Sequence, residues 1–296
     1  MLDSYSQSSS DVRLLVLDID GTLVDESNRV RDNVLHAIRS VQGRGVAVAL
    51  ATGRMNQSSL PVYEALDSTS PLICYEGALI RQPQTGSVHR HWSIEPQTAS
   101  QLLDRIETLK LNGRFSIHLY IQDDIYVSSL TDATIRYFEG SRVQPILVGD
   151  LRPLLDLGIT KMILLSDDAQ LIAELSNHLR DSKSRIEMKQ HRSAAFLEAF
   201  HPDVNKKVAV RYLAEEIMSL RAENVMAIGD DGTDIEMLKY AGIGVAMGSA
   251  PPLVKASADW VTTTVEDDGV ARAIERWILR EQSTQRGSLE TPSIPQ

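Results

Sequence analysis

Near its start the chain carries Val12-Arg13-Leu14-Leu15-Val16-Leu17, an almost continuous apolar run that stops abruptly at Asp18. A strand with one face in water alternates apolar and polar residues, whereas a strand buried on both faces of a parallel sheet reads as a near-continuous apolar run. The run therefore predicts a central parallel strand, and such a sheet needs helices on both faces. The rest of the sequence supplies them. Val34, Ile38 and Val41 recur at helical spacing and predict a helix over 32–42, with Gly43 as its stop. Further strands are read at 46–50, 71–75, 224–228, 244–247 and 260–263, and a further helix over 207–217.

Between these segments the pattern changes. Gln82-Pro83-Gln84-Thr85-Gly86-Ser87 is a turn-rich break. From there to Arg192 a separate α/β unit is read, with helices over 96–110 and 169–180 and strands at 115–122, 125–128 and 161–165. The fold class expected is α/β: a Rossmann-like parallel-sheet core over 11–81 and 193–280, with an inserted α/β cap over 82–192. The stretches 1–10 and 281–296 are rich in small polar residues and proline and are expected to be disordered.

Composition narrows the function classes. The 296 residues carry a formal net charge of −10, which leaves no basic footprint for nucleic acid or an anionic membrane. No stretch approaches the roughly 18 uninterrupted apolar residues of a membrane span. The single cysteine, Cys74, sits in the apolar run Leu72-Ile73-Cys74-Tyr75, so neither a disulfide within the chain nor a cysteine metal site is available. It reads as a buried strand residue. The compartment expected is reducing and intracellular, the cytoplasm or an organellar stroma.

The residues that carry chemistry cluster at strand ends. Asp18-Ile19-Asp20-Gly21-Thr22-Leu23 directly follows the first apolar run, and ligands of open α/β sheets sit beyond the carboxyl ends of strands. Alternation places Asp18 and Asp20 on one side, and two carboxylates so close call for a cation or a shared proton. Gly229-Asp230-Asp231-Gly232-Thr233-Asp234 follows another buried strand, and Asp230 and Asp234 are oxygen ligands suited to Mg²⁺. Thr233 and Glu236 have the spacing of a capping box and read as the start of a helix. Ala51-Thr52-Gly53-Arg54 offers a hydroxyl and backbone N–H groups to a phosphate. Lys206 can meet phosphate as a point charge. No Gly-x-x-x-x-Gly-Lys-Ser/Thr loop and no Gly-x-Ser-x-Gly elbow is present. His89 and His91 read as surface strand residues.

Together these segments resemble the haloacid dehalogenase-like superfamily, and within it the Cof-type, subfamily IIB, phosphatases with a large C2-type cap. The resemblance runs from about Leu14 to Trp277. It implies a Mg²⁺-dependent phosphatase of small phosphorylated metabolites, sugar phosphates first, acting as a monomer or small homo-oligomer. Asp18 would form an aspartyl-phosphate, and Asp20 would act as acid and then base. Ile19, Thr52, Gly53, Lys206 and Thr233 would hold the phosphoryl group. Asp18, the Asp20 carbonyl, Asp230 and Asp234 would hold the metal. Arg54 and Glu76 are the substrate candidates.

The sequence also departs from the family pattern. Glu76-Gly77-Ala78 stands where Asn-Gly-Ala is usual, Thr233 replaces an Asn, and Ser249 and Val265 occupy two further Asn positions. Glu76 is either a solvent-facing strand-end residue or an anion placed to meet a cationic or polyhydroxylated leaving group. A phosphotransferase or mutase on the same chemistry, and a non-catalytic metabolite binder, are the rival readings.

Overall fold

A computed structural model describes residues 11–109, 114–139, 143–180, 187–190 and 196–279. The stretches 1–10 and 281–296, expected from composition to be disordered, lie outside the described residues. In chain order the described strands and helices are β1 (Leu14–Leu17), α1 (Asp32–Gln42), β2 (Ala47–Leu50), α2 (Asn56–Ala65), β3 (Leu72–Cys74), β4 (Leu79–Arg81), β5 (Val88–His91), α3 (Pro96–Thr108), β6 (Ser116–Ile121), β7 (Asp124–Val127), α4 (Asp132–Phe138), β8 (Ile146–Leu147), β9 (Ile159–Leu165), α5 (Ala169–Arg180), β10 (Glu187–Gln190), β11 (Phe196–Phe200), α6 (Lys206–Arg211), β12 (Val225–Gly229), α7 (Ile235–Tyr240), β13 (Ile243–Ala246), α8 (Pro252–Lys255), β14 (Trp260–Val261) and α9 (Gly269–Ile274). They divide into two compact units. One takes in the described residues up to Thr52, Pro61–Leu72 and those from Val210 onward; the other takes in Gly53–Leu60 and Ile73–Ala209.

The first unit is built on a five-stranded sheet of order β14-β13-β12-β1-β2, parallel throughout. All four side chains of β1 are fully buried, as its unbroken apolar run requires. Burying each such side chain contributes about 1.5–3 kcal/mol. Helix α1 buries Val34, Ala37, Ile38 and Val41 on one stripe, and Asp32 in its first turn suits the positive end of the helix dipole.

The second unit is built on a six-stranded sheet of order β10-β11-β9-β6-β7-β8. Strand alternation gives its two faces different jobs. Ile117, Leu119, Ile121, Met162, Leu164, Leu197 and Ala199 join Leu102, Leu103 and Ile106 of α3 and Leu171, Ile172 and Leu175 of α5 in one apolar core. The alternate residues His118, Tyr120, Lys161, Glu198 and Phe200 therefore belong to the opposite face, and all five are buried.

Two arrangements differ from the sequence reading. The strand read at 71–75 is shorter, and β3 joins β4 and β5 in a separate three-stranded sheet rather than the five-stranded one. The backbone turns sharply after it, at Tyr75, Glu76 and Gly77. The second unit also runs beyond 82–192 at both ends, because β11 pairs antiparallel with β9 and β10. Cys74 is fully buried in β3, and His89 and His91 are exposed on β5, as read from the sequence. Among the described residues no helix is long and apolar enough to cross a membrane.

Candidate active site

In the first unit, strands β12, β1 and β2 lie side by side in register, pairing Leu17 with both Ile228 and Leu50. The ladder continues one step past each strand. The Asp18 N–H donates to the Ile228 carbonyl at 3.0 Å, and the Ala51 N–H to the Leu17 carbonyl at 2.9 Å. Asp18, Thr52 and Asp230 thus leave the sheet at the carboxyl ends of three adjacent strands. From β1 the chain winds one way to β2, and from β12 it winds the other way to β13 and β14, which makes this a topological switch point where ligands of open sheets bind.

The Asp18 loop folds back on itself. The Leu23 and Val24 N–H groups donate to the Ile19 carbonyl at 2.9 and 3.0 Å, and the Gly21 N–H donates to the Val24 carbonyl at 3.0 Å. Asp18 and Ile19 are buried while Asp20 is exposed, so strand alternation does not carry through this loop, and the two carboxylates differ in their access to water. Gly21 has φ +77°, and a Cβ there would lie 2.2 Å from Asp230 Oδ2. Only glycine gives both the left-handed turn and room for that carboxylate. Thr22, which the sequence reading did not single out, donates from Oγ1 to Asp230 Oδ1 at 3.2 Å.

The acidic loop is organised by Asp234. It is fully buried, and its Oδ2 accepts the N–H groups of Asp230 at 2.9 Å and Asp231 at 3.0 Å. The capping box falls on Asp231 and Asp234, not on Thr233 and Glu236. The reason is a short 3₁₀ turn, Gly232–Asp234, that precedes α7 and moves the cap upstream of the expected start. Thr233 is half-buried on this turn. Among the candidate side chains, carboxylate oxygens of Asp18, Asp230 and Asp234 come within 4.8 Å of one another. Asp20 is not part of this side-chain cluster. An oxygen-only set of three carboxylates, two of them buried, fits a hard divalent cation, because like charges so close disfavour joint ionisation without one.

Gly53, Arg54, Glu76 and Lys206 belong to the second unit. Lys206 opens α6 and is buried; Asn205 caps that helix, its Oδ1 accepting the Val208 N–H at 2.9 Å. Glu76 is buried too, so it is not the solvent-facing residue of one sequence reading. Its carboxylate lies against Gly53, where a Cβ would fall 2.6 Å from Oε1. A Cβ on Gly77 would meet the Asn205 carbonyl at 2.6 Å. These two close approaches bring the 53–54 segment, Glu76 and the start of α6 together within this unit. Arg54 is half-buried, and its carbonyl accepts the Tyr75 N–H at 3.0 Å.

The sheet of the second unit adds charges that the sequence reading missed. Lys161 Nζ and Glu198 Oε1 form a buried pair at 2.7 Å, with the ammonium 4.7 Å from the Tyr120 ring centroid. Burial disfavours the ammonium, but the charge and hydrogen bond of Glu198, with Tyr137 and Glu76 adding to them, together outweigh it and the Lys161 pKa is raised. Burial, with Lys161 adding to it, pushes His118 down to about 4. A lone Lys in Ile159–Leu165 and a lone Glu in Phe196–Phe200 were the available signals, since a charge amid an apolar strand needs a partner.

The sequence profile of the haloacid dehalogenase-like hydrolases matches residues 15–274. Two 5-amino-6-(5-phospho-D-ribitylamino)uracil phosphatases of Bacillus subtilis, YitU and YcsE, are each 30% identical to the chain. YitU aligns over 89% of this chain and 97% of its own length, and YcsE over 93% and 100%. The crystal structure of a haloacid dehalogenase-like hydrolase from Bacteroides thetaiotaomicron superposes with a TM-score of 0.78 at 26% identity, covering 90% of this chain and 99% of that one.

Proposed function

This chain belongs to the haloacid dehalogenase-like hydrolase family and is a phosphoric monoester hydrolase, and from that premise we propose that it is a Mg²⁺-dependent phosphatase working through an aspartyl-phosphate on Asp18. The observation that carries this reading is the meeting of Asp18, Asp230 and Asp234 at the switch point of the parallel sheet. Asp18 attacks phosphorus, forming a carboxylate–phosphorus bond as the ester oxygen leaves. Asp20 donates its proton to that oxygen, then takes a proton from the water that displaces Asp18 from phosphorus. Splitting hydrolysis this way replaces one hard step with two easier ones, and a positioned acid–base group contributes about 10²–10⁴-fold. The exposure of Asp20 suits this role, because it must meet both the leaving group and water.

Ile19, Thr52, Gly53, Lys206 and Thr233 hold the phosphoryl oxygens in this reading. Asp18, the Asp20 carbonyl, Asp230 and Asp234 would hold Mg²⁺. When bound, the cation supplies positive charge that offsets the repulsion between the Asp18 carboxylate and the phosphoryl group. Lys206 adds a second positive charge, so the site need not share the sign of the acidic chain.

Sugar phosphates are the proposed substrates, acting as small phosphorylated partners, with Arg54, Glu76 and the cap choosing the leaving group. The relatives named for a ribityl phosphate ester support a polyhydroxylated substrate. The test is release of inorganic phosphate from p-nitrophenyl phosphate with Mg²⁺, with excess chelator, and with Mg²⁺ restored. Turnover that stops with chelator and returns with Mg²⁺ is expected. Turnover indifferent to the chelator would contradict the metal-dependent reading.

A further inference from the structure

Glu76 is 4% exposed, and its Oε2 has no hydrogen-bond partner. Leaving a buried acceptor unmade costs about 1–3 kcal/mol, and more for a charged group. The backbone adds a second cost. Tyr75, Glu76 and Gly77 have φ of 52°, 57° and 104°, a left-handed run in which two residues carry a Cβ. Each such residue costs on the order of 1–2 kcal/mol. Asparagine, the residue the family pattern leads one to expect here, takes this conformation more readily than glutamate.

The surroundings hold the strained turn in place. The Tyr75 hydroxyl donates to Asp123 Oδ1 at 2.6 Å, and its N–H donates to Arg54. The Tyr75 ring meets the Tyr120 ring edge-on at 6.1 Å. The turn thus fixes the Glu76 carboxylate against Gly53, the residue after Thr52 in the segment assigned to phosphate. Lys161 interacts with Glu76 through its charge, yet its ammonium is hydrogen-bonded to Glu198 and does not satisfy Oε2.

We propose that Glu76 determines specificity, its Oε2 accepting a hydrogen bond from a hydroxyl of the leaving group and so selecting polyol and sugar phosphates. This rests on the phosphatase reading above. A carboxylate acceptor could also serve an ammonium donor, but the Lys161 charge, which Glu76 already feels, opposes a cationic leaving group. Strain that persists at one buried residue, with its carboxylate against Gly53, is the pattern expected of a functional position.

The test compares wild type, Glu76→Asn and Glu76→Gln with Mg²⁺. The substrates are sorbitol 6-phosphate, glucose 6-phosphate, phosphoethanolamine, and the hydroxyl-free esters n-butyl phosphate and p-nitrophenyl phosphate. Each variant is read as its ratio to wild type on each ester, so intrinsic ester reactivity cancels. Glu76→Asn relieves the backbone and keeps the fold, so its melting temperature should hold or rise. Its kcat/KM should fall about 10–100-fold on the polyol and sugar esters, as loss of a hydrogen bond to a charged group implies, and less than about 3-fold on the hydroxyl-free ones. An equal loss on every ester, or no loss on the polyol esters, would overturn the proposal. So would a wild type that turns over p-nitrophenyl phosphate but no polyol ester, or one that prefers phosphoethanolamine. A wild type that turns over none of these esters would instead overturn the phosphatase reading, and this proposal with it.

Discussion

Asp234 sits beneath Asp230, its buried Oδ2 accepting the Asp230 N–H at 2.9 Å and the neighbouring Asp231 N–H at 3.0 Å. One carboxylate oxygen thus holds the backbone from which the Asp230 side chain projects. Replacing it should cost stability through the unmet N–H groups and loosen the site at the same time. Asp234→Ala is expected to lose about 1–3 kcal/mol. It should also weaken the Mg²⁺ dependence of phosphate release about 10–100-fold, the range for groups that orient metal ligands. Chemical denaturation and a Mg²⁺ titration of activity measure the two effects. A variant that loses stability with an unchanged Mg²⁺ midpoint would show that Asp234 serves only the fold.

Gly21 makes a sharper test of the same loop. Alanine there adds both a left-handed backbone penalty and a Cβ 2.2 Å from Asp230 Oδ2, so Asp230 must move. Displacements near 1 Å in a catalytic constellation can cost about 10²-fold, and a loss of that order in kcat/KM is expected for Gly21→Ala. Gly45→Ala is the control: its φ is +83°, but nothing lies within 4 Å of the added Cβ. It should lose about 1–2 kcal/mol of stability and keep its activity. Equal activity losses in the two variants would remove the steric argument.

His118 gives the fold a pH dependence. It is fully buried, and its pKa falls from 6.5 to about 4 in the folded chain, chiefly through burial. Below pH 6.5 the unfolded chain binds a proton that the folded chain refuses. The His118 contribution is therefore complete above pH 6.5 and is lost as pH falls toward 4, by about 3 kcal/mol over the whole window. Between pH 7.5 and 5 the part lost is about 2 kcal/mol. Urea midpoints of wild type and His118→Asn at those two pH values isolate the term. The variant should lose less stability on acidification than wild type; an identical loss in both would contradict the assignment.

Much of this was legible from residue pattern. The helices over 32–42 and 169–180 have the bounds that their apolar periodicity indicated. The strand-end acids were visible because each follows a run that can only be a buried strand. Helix α2 was not, since Pro61 lies inside it and its apolar residues are sparse. Strand β11 was missed because the charge of Glu198 interrupts its apolar run, and the partner that accounts for that charge, Lys161, lies 37 residues away. The burial of Glu76 and its left-handed backbone could not be read at all. They depend on Gly53 and, through Tyr75, on Asp123, which only folding brings to it.

Asp18 is the residue on which the covalent mechanism turns. Asp18→Asn keeps the size of the side chain and removes its nucleophilic oxygen charge. Phosphate release from p-nitrophenyl phosphate in Mg²⁺, measured for Asp18→Asn and wild type with melting temperatures alongside, decides the matter. The variant is expected to stay folded, with its phosphate release at the level of buffer alone. A folded Asp18→Asn variant that turns over at the wild-type rate would contradict the covalent mechanism.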